Sequence, residues 1–164
     1  MTMKITLPDN SYRELPDGSS GYDLAKSIGP GLAKSAVAVT INGEQKDLHD
    51  PINEDSSVSI ITIDSEEGLE IMRHTLTAQV LARAVKNLYP KSKLAIGPTI
   101  EDGFYYDVET EVAISADDLE KIEAEMKTII KTKSSITKKL VTKSEALKVF
   151  KSKNEPYKEI IIDE

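Results

Sequence analysis

Two histidines, no cysteine and ten lysines crowded between Lys127 and Lys158 are the residues of this chain with the plainest chemistry. The absence of cysteine removes disulfides, thiolate zinc sites and a cysteine nucleophile from these residues. His49 and His74 fall in segments read below as separate domains, so no histidine cluster and no metal site are expected. On a helix His74 lies in line with Ala78, Leu81 and Val85, which predicts a packed, half-buried structural histidine. Thr75 and Gln79 stand one helical turn apart on a shared face. Both can hydrogen-bond, but neither titrates near neutral pH or serves as a general base.

The lysines face only Glu145 and Glu155 within the same stretch, whereas residues 1–64 carry ten acidic side chains against five basic ones. The net charge of −7 argues against indiscriminate coating of nucleic acid. A local basic surface still binds phosphate, because screening confines each field to about 10 Å. Lys131, Lys133, Lys138 and Lys139 are the candidates for an RNA backbone. The plainer reading, a solvated lysine-rich face, stands beside it. In Gly103-Phe104-Tyr105-Tyr106-Asp107 the two tyrosines point to opposite sides of an extended chain, one to core and one to surface or pocket. Gly97, within Ile96-Gly97-Pro98, either lets backbone approach a ligand closely or ends a strand. No phosphate-binding glycine loop, dinucleotide fingerprint or serine elbow is present.

The elements that must position these residues fall into two domains, 1–64 and 65–164, in an α+β class. Lys4 to Leu7 and Ser11 to Leu15 alternate around Pro8-Asp9-Asn10 and predict a hairpin. Ser19-Ser20 caps a helix through Ile28, which Gly29-Pro30-Gly31 is expected to stop. Val37 to Ile41, the Asn42-Gly43 turn signal, Glu44 to Leu48 and Val58 to Ile63 complete a sheet. Strand, strand, helix, strand, strand, strand is the order of a β-grasp, ubiquitin-like fold. In the second domain an amphipathic helix is predicted from Glu66 to Leu88. Strands follow at 94–98 and 104–108, and a helix capped by Ser115 runs from Ala116 to about Lys131. Beyond these are expected a strand at Ile136–Val141, a short helix at Ser144–Lys151 and a strand at Tyr157–Ile162. With 39% apolar and 30% charged residues and no long apolar run, the chain reads as an ordinary globular protein without a membrane span or secretory signal, cytoplasmic by default.

Ile5-Thr6-Leu7-Pro8-Asp9, Ala36 to Asn42-Gly43 and Asp47-Leu48 resemble a TGS domain. Arg73 to Asp107 resembles the opening of the second, editing domain of bacterial-type threonyl-tRNA synthetases, which hydrolyses serine wrongly attached to threonine tRNA. In that family an H-S-T-A-H run precedes V-L-A-x-A-V, and this chain has Thr75-Leu76-Thr77-Ala78-Gln79 there. The resemblance implies that both editing histidines are replaced and that editing is lost or degenerate. Glu155-Pro156-Tyr157-Lys158 resembles the family's E-x-Y-K segment, whose lysine lies by the editing pocket. By that likeness Lys158 is a candidate catalytic or binding residue at the tRNA terminus, with an ordinary surface lysine as the rival reading. Tyr106 and Gly97 match positions near the terminal adenosine and lining the pocket.

The implied parent is a class II threonine–tRNA ligase, with these residues an N-terminal piece that ends partway through the editing domain. Its partner is tRNA, with no DNA and no membrane. No cofactor is expected in this chain: ATP, magnesium and zinc belong to the aminoacylation core, as do homodimer contacts. Two alternatives stand: a self-sufficient TGS-containing RNA-binding or regulatory module without catalysis, and a freestanding editing hydrolase, for which the sequence supplies no catalytic group.

Overall fold

At Pro8 to Asn10 the chain reverses because the Asp9 carboxylate accepts from both the backbone N–H and the hydroxyl of Ser11, at 3.0 and 2.6 Å, while Asn10 takes a φ of 64°. In the computed structural model, which describes residues 1–164, this turn joins β1 (Thr2–Thr6) to β2 (Tyr12–Pro16) as an antiparallel pair. The chain divides into two compact units, Met1–Met72 and Arg73–Glu164.

In the first unit, α1 (Gly21–Ile28) begins at Ser20. The Ser20 hydroxyl accepts from the Asp23 N–H and the Asp23 carboxylate accepts from the Ser20 N–H, which satisfies two donors the helix itself leaves open. α1 stops at Gly29 as expected, where the backbone is extended and not helical. Pro30 then starts a second short helix, α2 (Pro30–Ser35), at the position where its missing N–H is not needed. β3 (Ala36–Ile41) then turns through Asn42 and Gly43, with φ of 50° and 85°, into β4 (Glu44–Asp47). Positive φ at both positions is the geometry that matches strand twist in a two-residue hairpin.

β5 (Ser56–Thr62) lies antiparallel to β3 and parallel to β1, giving the sheet order β2-β1-β5-β3-β4. Met3, Ile5, Leu24, Val39, Ile52 and Val58 form the core between sheet and α1. Each such side chain contributes about 1.5–3 kcal/mol of burial. The β-grasp reading and the α+β class hold.

The predicted helix from Glu66 is present but not uniform. α3 (Glu66–Thr75) passes into a π-helical turn (Leu76–Leu81) and then α4 (Ala82–Leu88). Within the wide turn the Ala82 N–H bonds to the Thr77 carbonyl, five residues back. The extra residue shifts the face on which each later side chain of the helix falls. His74, which precedes this turn, is exposed, contrary to the expectation of a packed, half-buried histidine.

In the second unit β6 (Lys93–Leu94) pairs with β9 (Val108–Glu109), and β7 (Thr99–Ile100) with β8 (Gly103–Phe104). α5 (Ala116–Lys131) starts from a Ser115–Asp118 capping box and α6 (Lys143–Ser152) from a Thr142–Glu145 one. Ala84 and Val85 pack against Ile122 and Ile129 to make the core.

Two expected strands are absent. Ile136–Val141 is irregular and exposed throughout, since no neighbouring strand offers it a ladder. Tyr157–Ile162 lies inside α7 (Pro156–Asp163). β-branched residues favour a strand only when a half-buried sheet surface receives them, and here Pro156 at the first helical position decides otherwise. No helix is long and apolar enough to cross a membrane.

Candidate functional site

A β-bulge prepares the site. The Asp107 carbonyl accepts from the Ala95 N–H at 3.0 Å, but the Asp107 N–H donates to Ile96 at 2.8 Å and not back to Ala95. Two residues thus oppose one, and the Ala95 carbonyl is left outside the ladder. Lys158 takes it: Nζ donates to Ala95 O at 2.6 Å and to the Tyr106 hydroxyl at 2.8 Å. An ammonium has three hydrogens, so one remains for another acceptor.

Tyr106 in turn lies over Gly97. A Cβ at residue 97 would stand 2.3 Å from Tyr106 Cδ2 and 2.5 Å from Thr77 Cγ2, so no larger residue fits between the ring and the helix. Thr77, in the π-turn, is fully buried and donates from its hydroxyl to the Arg73 carbonyl at 2.8 Å. Gly97, Tyr106 and Lys158, three residues singled out from the sequence, are therefore one cluster. Tyr105 is exposed and Tyr106 half-buried, as alternation along an extended chain requires.

Next to this cluster is a groove of about 550 Å³ lined by residues of α4, the π-turn, α6 and α7. Its polar lining is Gln79, Arg83, Lys86, Asn87, Lys153, Glu155 and Lys158, and Leu94 and Phe150 supply apolar walls. Gln79 is exposed at its edge, while Thr75 is half-buried and does not line it. Lys131, Lys133, Lys138 and Lys139 are exposed at and beyond the end of α5, away from the groove lining. No group of histidine, aspartate and glutamate side chains is arranged to hold a metal ion.

Three charged groove residues are not singled out from the sequence. Arg83, Lys86 and Lys153 look like ordinary helix-surface charges until α4 and α6 flank one opening. Glu155 is the one charged residue of the chain that is buried, with 4% of its surface exposed. Its carboxylate accepts from the Leu94 N–H at 2.9 Å and pairs with Lys86, which also donates to the Ser92 carbonyl. Beyond it, Tyr157 donates to Glu109, and Lys93 bonds the other oxygen of that carboxylate at 2.9 Å. Lys93 first, then Tyr157, holds the Glu109 carboxyl below its usual range, while Glu109 pushes the Tyr157 phenol and the Lys93 ammonium up. With hydrogen-bond donors of three kinds and neither histidine nor thiol on its walls, the groove is equipped to bind an anionic or hydroxyl-rich ligand.

Residues 3–62 match the TGS domain family. A threonine–tRNA ligase of Clostridium botulinum (strain Alaska E43 / Type E3) is 51% identical over 162 residues, which is 99% of this chain and 25% of that protein. The threonine–tRNA ligase of the same species (strain Eklund 17B / Type B) is 50% identical with the same coverage. The chain spans about a quarter of the length of the curated relatives it matches.

Proposed function

We propose, for a chain whose residues 3–62 belong to the TGS domain family and whose whole length is homologous to the N-terminal region of threonine–tRNA ligases, that it serves as the accessory region of such a ligase and contacts the acceptor arm of tRNA. The groove beside Tyr106 takes the 3′ end of that tRNA. Lys158 offers its remaining N–H to a ribose or phosphate oxygen, with Gln79 and Arg83 on the opposite wall. Lys131, Lys133, Lys138 and Lys139 follow the RNA backbone. The observation that supports this reading best is that Lys158, bonded to the Tyr106 hydroxyl whose ring lies over Gly97, lines a groove whose charged residues are four cations and one paired carboxylate.

Hydrolysis of seryl-tRNA is degenerate in this reading. Thr75 and Gln79 bring no general base to the helix, and a positioned acid or base is worth about 10²–10⁴ in rate. The test has two arms. The 164-residue chain is titrated with threonine tRNA, intact and lacking its terminal adenosine. Preference for the intact form supports the groove as the seat of the 3′ end, and equal binding removes it. Within the full-length ligase, Thr75→His with Gln79→His is expected to raise seryl-tRNA deacylation. Strong deacylation before any substitution would overturn the degenerate-editing reading.

A further inference from the structure

A lysine head on a flexible four-carbon stem occupies one place only if the backbone beneath it is fixed and its acceptors are in place. Lys158 is at the third position of α7, and Glu155 is the residue that precedes the helix. One turn apart, the two share a face. Both reach consecutive residues at the end of β6, Leu94 within the strand and Ala95 just after it. Glu155 accepts the Leu94 N–H at 2.9 Å, and Lys158 donates to the Ala95 carbonyl at 2.6 Å. The first turn of α7 is thus clasped to β6 by an acceptor and a donor of opposite charge. A carboxylate with 4% exposure is tolerated only because its charge is met, and Lys86 from α4 meets it. One buried group therefore ties together three elements: the α4 helix, the bulged strand and the start of α7.

We propose that Glu155 is a positioning residue for Lys158: by joining Lys86 and the Leu94 N–H it fixes the first turn of α7 so that the Lys158 ammonium stands between Ala95 O and the Tyr106 hydroxyl. The role of Lys158 toward RNA rests on the function proposed above, but the positioning itself does not. Tyr157 adds a further contact from the same turn, to Glu109 on β9. That contact uses neither Lys86 nor Leu94, so its removal leaves Glu155 engaged.

The test reads the Tyr106 hydroxyl directly. The 164-residue chain is labelled with 13C at the tyrosine ring carbon that bears the hydroxyl, giving six signals, and Tyr106→Phe identifies the one of interest. Lys158→Met defines where that signal moves when the ammonium is gone. Glu155→Ala is expected to move it most of the way to that position. Glu155→Gln, which keeps an acceptor for the Leu94 N–H but loses the charge for Lys86, is expected to move it part of the way. Lys86→Met acts from the other partner and serves if Glu155→Ala does not fold. A Tyr106 signal unmoved in a folded Glu155→Ala or Lys86→Met protein overturns the proposal.

Threonine tRNA binding separates this from the function it builds on. Lys158→Met and Glu155→Ala are each expected to weaken binding about tenfold, the worth of one charged hydrogen bond. The double variant is expected to be no weaker than either single one, because both act through one ammonium. Losses that multiply overturn the positioning role. A Tyr106 signal that follows Glu155 while tRNA binding ignores Lys158→Met upholds the positioning and overturns the RNA-binding reading instead.

Discussion

Lys158 Nζ stands 2.8 Å from the Tyr106 hydroxyl and 5.3 Å from the centre of the same ring. A nitrogen at both distances sits out beyond the hydroxyl and not above the ring face. The contact is therefore a hydrogen bond to the phenol, with little of the cation–π character that a position over the face would give. Tyr106→Phe keeps the ring above Gly97 and removes only this bond. Urea unfolding of the variant is expected to show a loss of about 1 kcal/mol. No loss at all would mean that Lys158 finds an equal acceptor elsewhere.

The crowding at Gly97 leads to a second expectation. Gly97→Ala must displace either the Tyr106 ring or the Thr77 methyl group, both within 2.5 Å of the new carbon. Overpacking of this kind destabilises by about 1–3 kcal/mol. Gly103→Ala is the control, because nothing lies within 4 Å of its Cβ position. Equal midpoints for the two variants would contradict the tight approach.

Acid stability of the first unit is tied to the α1 cap. The Ser20 N–H, then the Ser20 hydroxyl, lowers the Asp23 carboxyl below its usual 3.8. A carboxylate depressed by folding contributes stability that is fully present above the unfolded value and is lost as pH falls through the folded one. The gap in urea midpoint between the wild type and Asp23→Asn is accordingly expected to be constant near neutrality and to close between about pH 5 and pH 2. A gap that widens on acidification would contradict a carboxyl lowered by folding.

Salt dependence tests the exposed lysines apart from the groove. Replacing Lys131, Lys133 and Lys139 with glutamine is expected to flatten the plot of log affinity for threonine tRNA against log salt. The change is roughly one unit of slope for each phosphate that no longer meets a lysine. Lys158→Met, which faces the groove, is expected to change the slope much less than the affinity at a single salt concentration. Identical slopes for the triple variant and the wild type would remove these lysines from the RNA path.

The first unit was legible because its signals are local and agree with one another. Met3 and Ile5 alternate with exposed neighbours, Ser20 and Asp23 form a cap, and Asn42-Gly43 names its own turn. α5 was legible for the same reason, through Ser115 and Asp118. The rest depends on partners distant in sequence. Tyr157 to Ile162 has the composition of a strand, and it is the docking of Glu155, Tyr157 and Lys158 onto β6 and β9, with Pro156 at the helix start, that makes it a helix. The π-turn has no compositional mark and was not foreseen. Resemblance picked out Gly97, Tyr106 and Lys158, which stand together. It included Glu155 in the E-x-Y-K segment but gave it no role, although an acidic residue one place before a proline and three before a lysine already marks a helix entry.

The position of β5 has a consequence for synthesis. This last strand of the first unit lies between β1 and β3, and it alone connects the hairpin of β1 and β2 to the hairpin of β3 and β4. Until Ser56 to Thr62 has left the ribosome, the nascent chain holds two separate hairpins, each marginal in water. The sheet then closes in one late step, pairing Ile5 with Ser56 across about fifty residues of already exposed chain. A pause in translation before Ser56 to Thr62 emerge would leave Met3, Ile5 and Val39 uncovered for its duration, whereas a pause after their emergence would find the sheet complete.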